Sequence, residues 1–144
     1  MNLFGMLEVS GSALSAERWR AEIVSANMAN SETTRTPQGG AYRRQLVVFR
    51  GRPSSRFPVM LATLIHPAQE GVKVDRIVSD ISPLPRRYEP GHPDADASGY
   101  VTYPNVNPVM EMTDLLSAVR SYQLNASAVQ AAKNMLQQSL QILS

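Results

Sequence analysis

One segment has residue types and spacing that could hold a calcium ion. Asp94, Asp96 and Ser98 offer oxygen ligands at the first, third and fifth positions of an EF-hand loop, and the turn glycine follows at the sixth. The twelfth position, which needs a bidentate glutamate, holds Asn105. A polar turn explains the same residues, because aspartate and serine bond local backbone groups and glycine adopts positive φ. We predict a turn and no metal site.

Residue types that usually carry catalysis are sparse in this chain. The two histidines, His66 and His92, each precede a proline, which holds the backbone in an extended or turn conformation. There is no cysteine, and the sequence contains no nucleophile elbow, phosphate loop or carboxylate pair suited to acid and base catalysis. We predict that the protein is not an enzyme, has no cofactor and takes no small-molecule substrate.

Arginines in the middle of the chain could form a phosphate-binding surface with interleaved aromatic residues. These arginines are Arg35, Arg43, Arg44, Arg50, Arg52 and Arg56. The formal net charge of the chain is only +2, which is modest for binding through counterion release. Charges that block pairing at sheet edges, or arginines that bond planar acceptors across a subunit contact, are the alternatives. We predict no nucleic-acid partner.

The elements that must position these side chains are clearest at the C-terminus. Asn107 and Pro108 suit the N-cap and first position of a helix that runs to residue 144. Apolar residues recur along it at alternating spacings of three and four, interrupted by Lys133, which is the pattern of a coiled-coil seam. The predicted seam consists of Met112, Leu115, Val119, Tyr122, Ala126, Val129, Leu136, Leu140 and Leu143. A small core cannot cover so long a stripe, so we predict lengthwise packing against other helices.

A second helix is predicted from Leu3 to Asn30, where serine, threonine, proline and glycine end it. Its apolar residues fall on neighbouring stripes that form one wide face. Amide side chains at Asn27, Asn30 and Asn125 lie in or near the stripes of the two helices, where paired polar groups can fix register. We predict that these amides pack at subunit contacts together with Met6, Val9, Ala13, Leu14, Ala21, Ile23, Val24 and Met28.

The middle of the chain differs from both ends. Segments 42–50, 57–65 and 72–78 have the composition of short strands bounded by glycine or proline, and segment 82–88, with two prolines, is at best an edge strand. We predict an α+β fold in which long N- and C-terminal helices form a coiled-coil-like bundle domain with a small inserted β domain. The predicted boundaries are 1–33 for the N-terminal helix, 34–107 for the β-rich domain and 108–144 for the C-terminal helix.

Composition limits the class of protein further. The 144 residues are 43% hydrophobic and 18% charged, as is usual for an ordered domain. No stretch approaches the roughly 20 apolar residues that a membrane span needs. The N-terminus lacks the charged, apolar and small-residue regions of a secretory signal. We therefore expect neither a membrane protein nor a precursor exported through the general secretory route.

Several motifs along the chain match one known family. An asparagine motif at 26–30, with flanking similarity at 12–18 and 39–44, is shared among flagellar axial proteins. The Gly-His-Pro-Asp-Ala-Asp run at 91–96 and the segment 99–107 are more specific. Together they resemble the bacterial flagellar proximal-rod proteins of the FlgC type over nearly the whole chain.

The resemblance implies a structural subunit of the flagellar basal body, in its periplasmic rod. Such a subunit would be exported by the flagellar type III export apparatus and would self-assemble with other copies of itself and with neighbouring flagellar rod proteins through its terminal helices. It would help to transmit torque in flagellar motility. Because the faces presented up and down the rod differ, the contact would propagate as a helix.

Overall fold

Two long helices and two small antiparallel sheets make up the computed structural model, which describes residues 3–51 and 71–143. The elements are α1 (Leu3–Ala29), β1 (Gln45–Gly51), β2 (Val72–Ser79), β3 (Arg86–Tyr88), β4 (Tyr100–Thr102) and α2 (Pro108–Leu143). The predicted α+β class is confirmed, with a helix at each end and the strands between them. The strand predicted at 57–65 lies outside the described residues.

Asn107 caps the N-terminus of α2, as the sequence predicts. The Asn107 Oδ1 atom accepts a hydrogen bond from the backbone N–H of Val109 at 3.0 Å, and Pro108 occupies the first helical position, where its missing N–H leaves no bond unmade. Within the described residues neither helix is apolar enough along its length to span a bilayer.

The two helices lie antiparallel, because Asn27 of α1 meets Glu111 of α2 while Ala21 and Ala118 line the same groove further along. Glu111, Ala118 and Ala132 are buried and recur at intervals of seven residues, with Asn125 half-buried between them. Short side chains let helix backbones approach closely. The contact with α1 therefore centres on a row of small and polar residues, each one position before Met112, Val119, Ala126 or Lys133 of the predicted stripe.

Strands β1 and β2 form one sheet, and both contact α1. Their antiparallel register pairs Gln45 with Ser79 and Gly51 with Val72, with an irregularity between Val48 and Phe49. The strands predicted at 42–50 and 72–78 are thus confirmed, with shifted ends.

Strands β3 and β4 form a separate ribbon of three residues each. β3 begins directly after Pro85, whose ring nitrogen cannot donate to a ladder, as expected for an edge strand. No sequence pattern predicts β4. Only Val101 of this short strand is buried, so no alternating pattern marks it.

Close approach between α1 and β2 occurs at Gly71. The Ser12 Oγ atom accepts a hydrogen bond from the backbone N–H of Val72 at 3.0 Å and donates one to the carbonyl of Val9 at 2.7 Å. A Cβ atom added at Gly71 would lie 2.6 Å from that Oγ. The hydroxyl would have to move away, and both of its bonds would be lost or lengthened.

We expect Gly71→Ala to lower the free energy of unfolding by about 1–3 kcal/mol, because the added methyl overpacks this contact. The matched control is Gly91→Ala, since a Cβ there meets nothing within 4 Å and the backbone φ is not positive. Urea unfolding followed by circular dichroism measures both variants. Equal midpoints for the two variants would contradict the structural role assigned to this contact.

Candidate assembly site

A buried amide joins three parts of the chain. Asn27 is 1% exposed, and its Oδ1 accepts hydrogen bonds from the Tyr42 hydroxyl and the Gln45 backbone N–H, each at 2.9 Å. Its Nδ2 donates to the Gln45 carbonyl at 2.9 Å and to the Glu111 Oε2 at 3.0 Å. These four bonds fill the capacity of an asparagine side chain. Asn27 therefore connects α1, the start of β1 and the first turn of α2.

Glu111 brings a negative charge into the same interior. Its side chain is 1% exposed, and the Oε1 atom accepts a hydrogen bond from the Arg44 Nε at 2.6 Å. Arg44 is held in turn, because its backbone N–H donates to the Asn105 Oδ1 at 2.9 Å. Buried carboxylates persist where a cation and further donors satisfy them. We call Asn27, Tyr42, Arg44 and Glu111 the polar hub.

Ion pairs extend the hub toward the surface along the helix pair. The Arg20 Nη2 atom of α1 lies 3.2 Å from the Asp114 Oδ1 of α2, and the Arg44 Nη2 lies 3.5 Å from the other oxygen of that carboxylate. These partly exposed pairs are individually weak. Together they continue the link between α1, α2 and the segment that leads into β1.

Burial also alters the acidity of the hub tyrosine. Removal of the Tyr42 hydroxyl from water raises its pKa above the ordinary value of 10.0, and the negative charge of Glu111 raises it further. Its hydroxyl therefore stays protonated, which it must do to donate to Asn27.

Sequence reasoning found only part of this hub. The sequence indicates Asn27 as a polar residue within an apolar stripe, and Arg44 only as one member of an arginine cluster. Glu111 was not selected as a site residue, although an acidic residue in the first helical turn is a recognisable signal. That signal is common on exposed helices, so it does not reveal burial.

The segment 94–99, which resembles the first half of an EF-hand loop, forms a turn held by hydrogen bonds within it and to Tyr100. The Asp96 Oδ1 atom accepts hydrogen bonds from the backbone N–H groups of Ser98 and Tyr100, and the Tyr100 bond contributes most to holding the pKa of Asp96 below its ordinary value. Gly99 has a φ of 78°. The predicted polar turn is thereby confirmed.

The two carboxylates of this turn point to partners within the chain. Asp94 accepts a hydrogen bond from the Thr34 hydroxyl at 2.7 Å and lies 3.7 Å from Arg35, while Asp96 bonds Arg86. Across residues 3–51 and 71–143, no group of three or more potential metal-ligating side chains comes together.

The arginines of the cluster, where described, also bind within the chain. Arg35 pairs with Asp94, Arg44 with Glu111 and Arg50 with Asp75. Arg43 donates to the carbonyl oxygens of Asp80 and Ser82. Arg52 and Arg56 lie outside the described residues, as does His66.

The predicted packing residues fall into three groups by exposure. Val24 and Asn27 are buried. The half-buried group consists of Met6, Val9, Ala13, Leu14, Ala21, Ile23, Met28, Asn30, Leu115, Asn125, Ala126, Val129 and Leu136. The exposed group consists of Met112, Val119, Tyr122 and Leu140, and the side chain of Leu143 lies outside the description. Their contact with other subunits stays a prediction.

One face of α2 is apolar and exposed. Four apolar side chains recur there at spacings of three, four and three residues, and they are between 41% and 74% exposed. These residues are Val109, Met112, Leu116 and Val119, and we call them the exposed apolar row. Contiguous apolar surface of this kind marks interaction sites on folded proteins.

Comparisons with known proteins match both the helices and the whole chain. A family model described as flagella basal body rod protein matches residues 7–35, and one described as the C-terminal part of the flagellar basal body rod FlgEFG protein matches residues 97–142. The flagellar basal-body rod protein FlgC of Bacillus subtilis is 42% identical, and that of Borreliella burgdorferi 41%, each over 99% of both chains. The FlgC protein of Salmonella typhimurium is 36% identical over 97% of both chains.

The chain belongs to the FlgC family of flagellar basal-body rod proteins. Membership makes it a structural subunit of the rod of the flagellar basal body, where it takes its place among other rod components. The two segments matched by family models contain Asn27 and Glu111, so the hub joins the two parts that the flagellar rod families share.

We expect Asn27→Ala to lower the free energy of unfolding by about 2–4 kcal/mol, because Glu111 and the Gln45 backbone lose buried partners. Asn134→Ala is the matched control, since that amide lies exposed on α2. Urea midpoints of the purified chain provide the measurement. A loss no greater than that of the control would show that the hub contributes nothing to stability.

The raised pKa of Tyr42 predicts a pH dependence. Its contribution to stability is fully present below the unfolded pKa near 10.0 and is lost as pH rises through the higher folded pKa. Stability of the natural chain should therefore fall between pH 9 and pH 11 (about one unit either side of that value) more steeply than stability of Tyr42→Phe. Urea unfolding of both chains across this pH range measures the free energy of unfolding. If the two curves of free energy against pH are parallel, the prediction is wrong.

Proposed function

We propose that this rod subunit self-assembles with other copies of itself and with neighbouring rod proteins through its terminal helices, chiefly through the exposed apolar row of α2, and that it helps to transmit torque. The observation that carries the proposal is this row. It lies on a helix that also packs against α1, and Val119 at its end borders the groove between the two helices.

Spacing and length support a lengthwise helix contact. The row advances by three, four and three residues, which is the spacing of side chains that insert between those of a facing helix. From Val109 to Val119 it covers about 15 Å of helix axis at about 1.5 Å per residue. Burial of four such side chains would contribute several kcal/mol at about 25 cal/mol per Å².

The polar hub supports the transmission of torque. A force applied to the helix pair must pass to the β strands through residues that connect them, and Asn27 holds Gln45 and Glu111 in one bonded group. Satisfied buried polar networks are rigid and have one preferred geometry. The hub would therefore resist relative rotation of α1, α2 and β1.

Family membership supports two further parts of the proposal. The flagellar type III export apparatus would deliver the chain to the growing rod, and the role would be structural rather than catalytic. The carboxylates of Asp96 and Glu111 support a structural role, since each is bonded to an arginine of the same chain.

We expect Leu116→Asp to abolish incorporation into the rod while leaving the isolated chain stable. Leu116 is exposed, so the substitution changes the free energy of unfolding by no more than about 0.5 kcal/mol. At a helix contact the same carboxylate would be buried without a partner. Quantitative immunoblotting of purified basal bodies measures incorporation, and swimming in soft agar reports motility.

Ser117→Asp is the matched control, because Ser117 is an exposed neighbour on the same helix, about 100° away around its axis. It should incorporate normally. If Leu116→Asp reaches basal bodies in the amount of the control, the exposed apolar row is not an assembly surface.

A further inference from the structure

A strip of positive charge runs across one face of the β1–β2 sheet. Arg50 and Lys73 stand directly opposite each other in the register, and Arg76 stands opposite Val48. Val48 and Arg50 are two residues apart on β1, so their side chains share a face. Their partners Arg76 and Lys73 are three residues apart on β2, but the irregularity inserts Asp75 between them, so they stand on that same face. We call Arg50, Lys73 and Arg76, all exposed, the cationic strip.

Among residues 3–51 and 71–143, a single carboxylate pairs with the strip. Asp75 lies 3.2 Å from Arg50, but neither Lys73 nor Arg76 forms an ion pair within the described parts of the chain. Like charges directly opposite each other weaken a sheet. The pairing of Arg50 with Lys73 is therefore locally unfavourable, and such departures from local preference are expected where a surface has a function.

Protection of the sheet edge is the simplest alternative. Charged residues on exposed strands prevent pairing with other chains, and lysine is favoured for this. That role depends on the presence of charge and not on its sign. A glutamate in place of Lys73 would serve it equally well, so reversal of the charge separates protection from recognition.

The neighbouring surface favours a protein partner. Lys73 borders a groove of about 330 Å³ between α1 and β2, whose walls include Ala16, Trp19 and Val74. Trp19 is exposed. Tryptophan is enriched at energetically dominant positions in protein interfaces, whereas a site for phosphates alone needs no apolar groove.

We propose that the cationic strip and this groove dock an acidic surface of an adjacent protein subunit in the rod. This inference rests on the proposed function. Carboxylates of the partner would pair with Lys73 and Arg76, and an apolar side chain beside them would enter the groove along Trp19. Complementary charge of this kind sets the register and the partner of a contact.

The test uses the two lysines of the chain, Lys73 and Lys133, on purified basal bodies. A zero-length carbodiimide reagent joins an amine to a carboxylate only where the two already touch. Mass spectrometry should find Lys73 joined to an aspartate or glutamate of another subunit. Lys73→Arg should incorporate normally and lose the crosslink, since it keeps the charge and removes the amine.

Charge reversal provides the second arm. Lys73→Glu combined with Arg76→Glu should reduce incorporation about tenfold, because like charges then face each other across the contact. Arg35→Glu is the control, since its side chain is 80% exposed and lies outside the strip, and the ion pair with Asp94 that it loses is weak at 3.7 Å. A urea midpoint close to that of the natural chain shows that the double variant folds. If the double variant does not fold, the crosslink from Lys73 in the natural chain decides the question.

Three results would overturn the inference. The first is a Lys73 amine that joins only carboxylates of its own chain or none at all. The second is normal incorporation of a folded double variant, which leaves edge protection as the role of the strip. The third is a double variant that incorporates normally but no longer binds phosphatidylglycerol vesicles that the natural chain binds. That result would show that the strip binds lipid. None of these touches the proposed function, which depends on the separate outcome for Leu116→Asp.

Discussion

The side-chain amide of Asn27 is the interaction on which the rest of the structure depends. Its four hydrogen bonds fix the end of α1 against the start of β1 and the first turn of α2. The buried carboxylate of Glu111 is tolerable only because this amide and Arg44 both donate to it. Removal of any one member leaves a polar group in the interior without its partner, so the hub acts as a unit.

Two faces of α2 differ in the size and the exposure of their side chains. Toward α1 the helix presents alanines, which permit a close approach between the two backbones. On another face it presents Val109, Met112, Leu116 and Val119, which exceed what a single chain needs for its own interior. The proposed assembly accounts for this excess, because the row would then pack against helices of neighbouring subunits.

Much of the fold follows from sequence, because its signals are local. Helix periodicity, the cap at Asn107 and the turn chemistry around Gly99 each depend on residues close together in the chain. The hub does not, since Asn27 and Glu111 are 84 residues apart and neither is apolar. The buried row of α2, which includes Ala118, lies one position before the predicted seam, and a hydrophobic pattern does not mark alanines.

That separation of 84 residues also bears on the order of events during biogenesis. If the chain is exported as proposed, with its N-terminus first, α1 would emerge long before α2. Asn27 would then lack its partner Glu111 until most of the chain had emerged. Distant pairings form late and slowly, so the hub of an exported subunit would close only after α2 had emerged, and a partly exported chain would lack it.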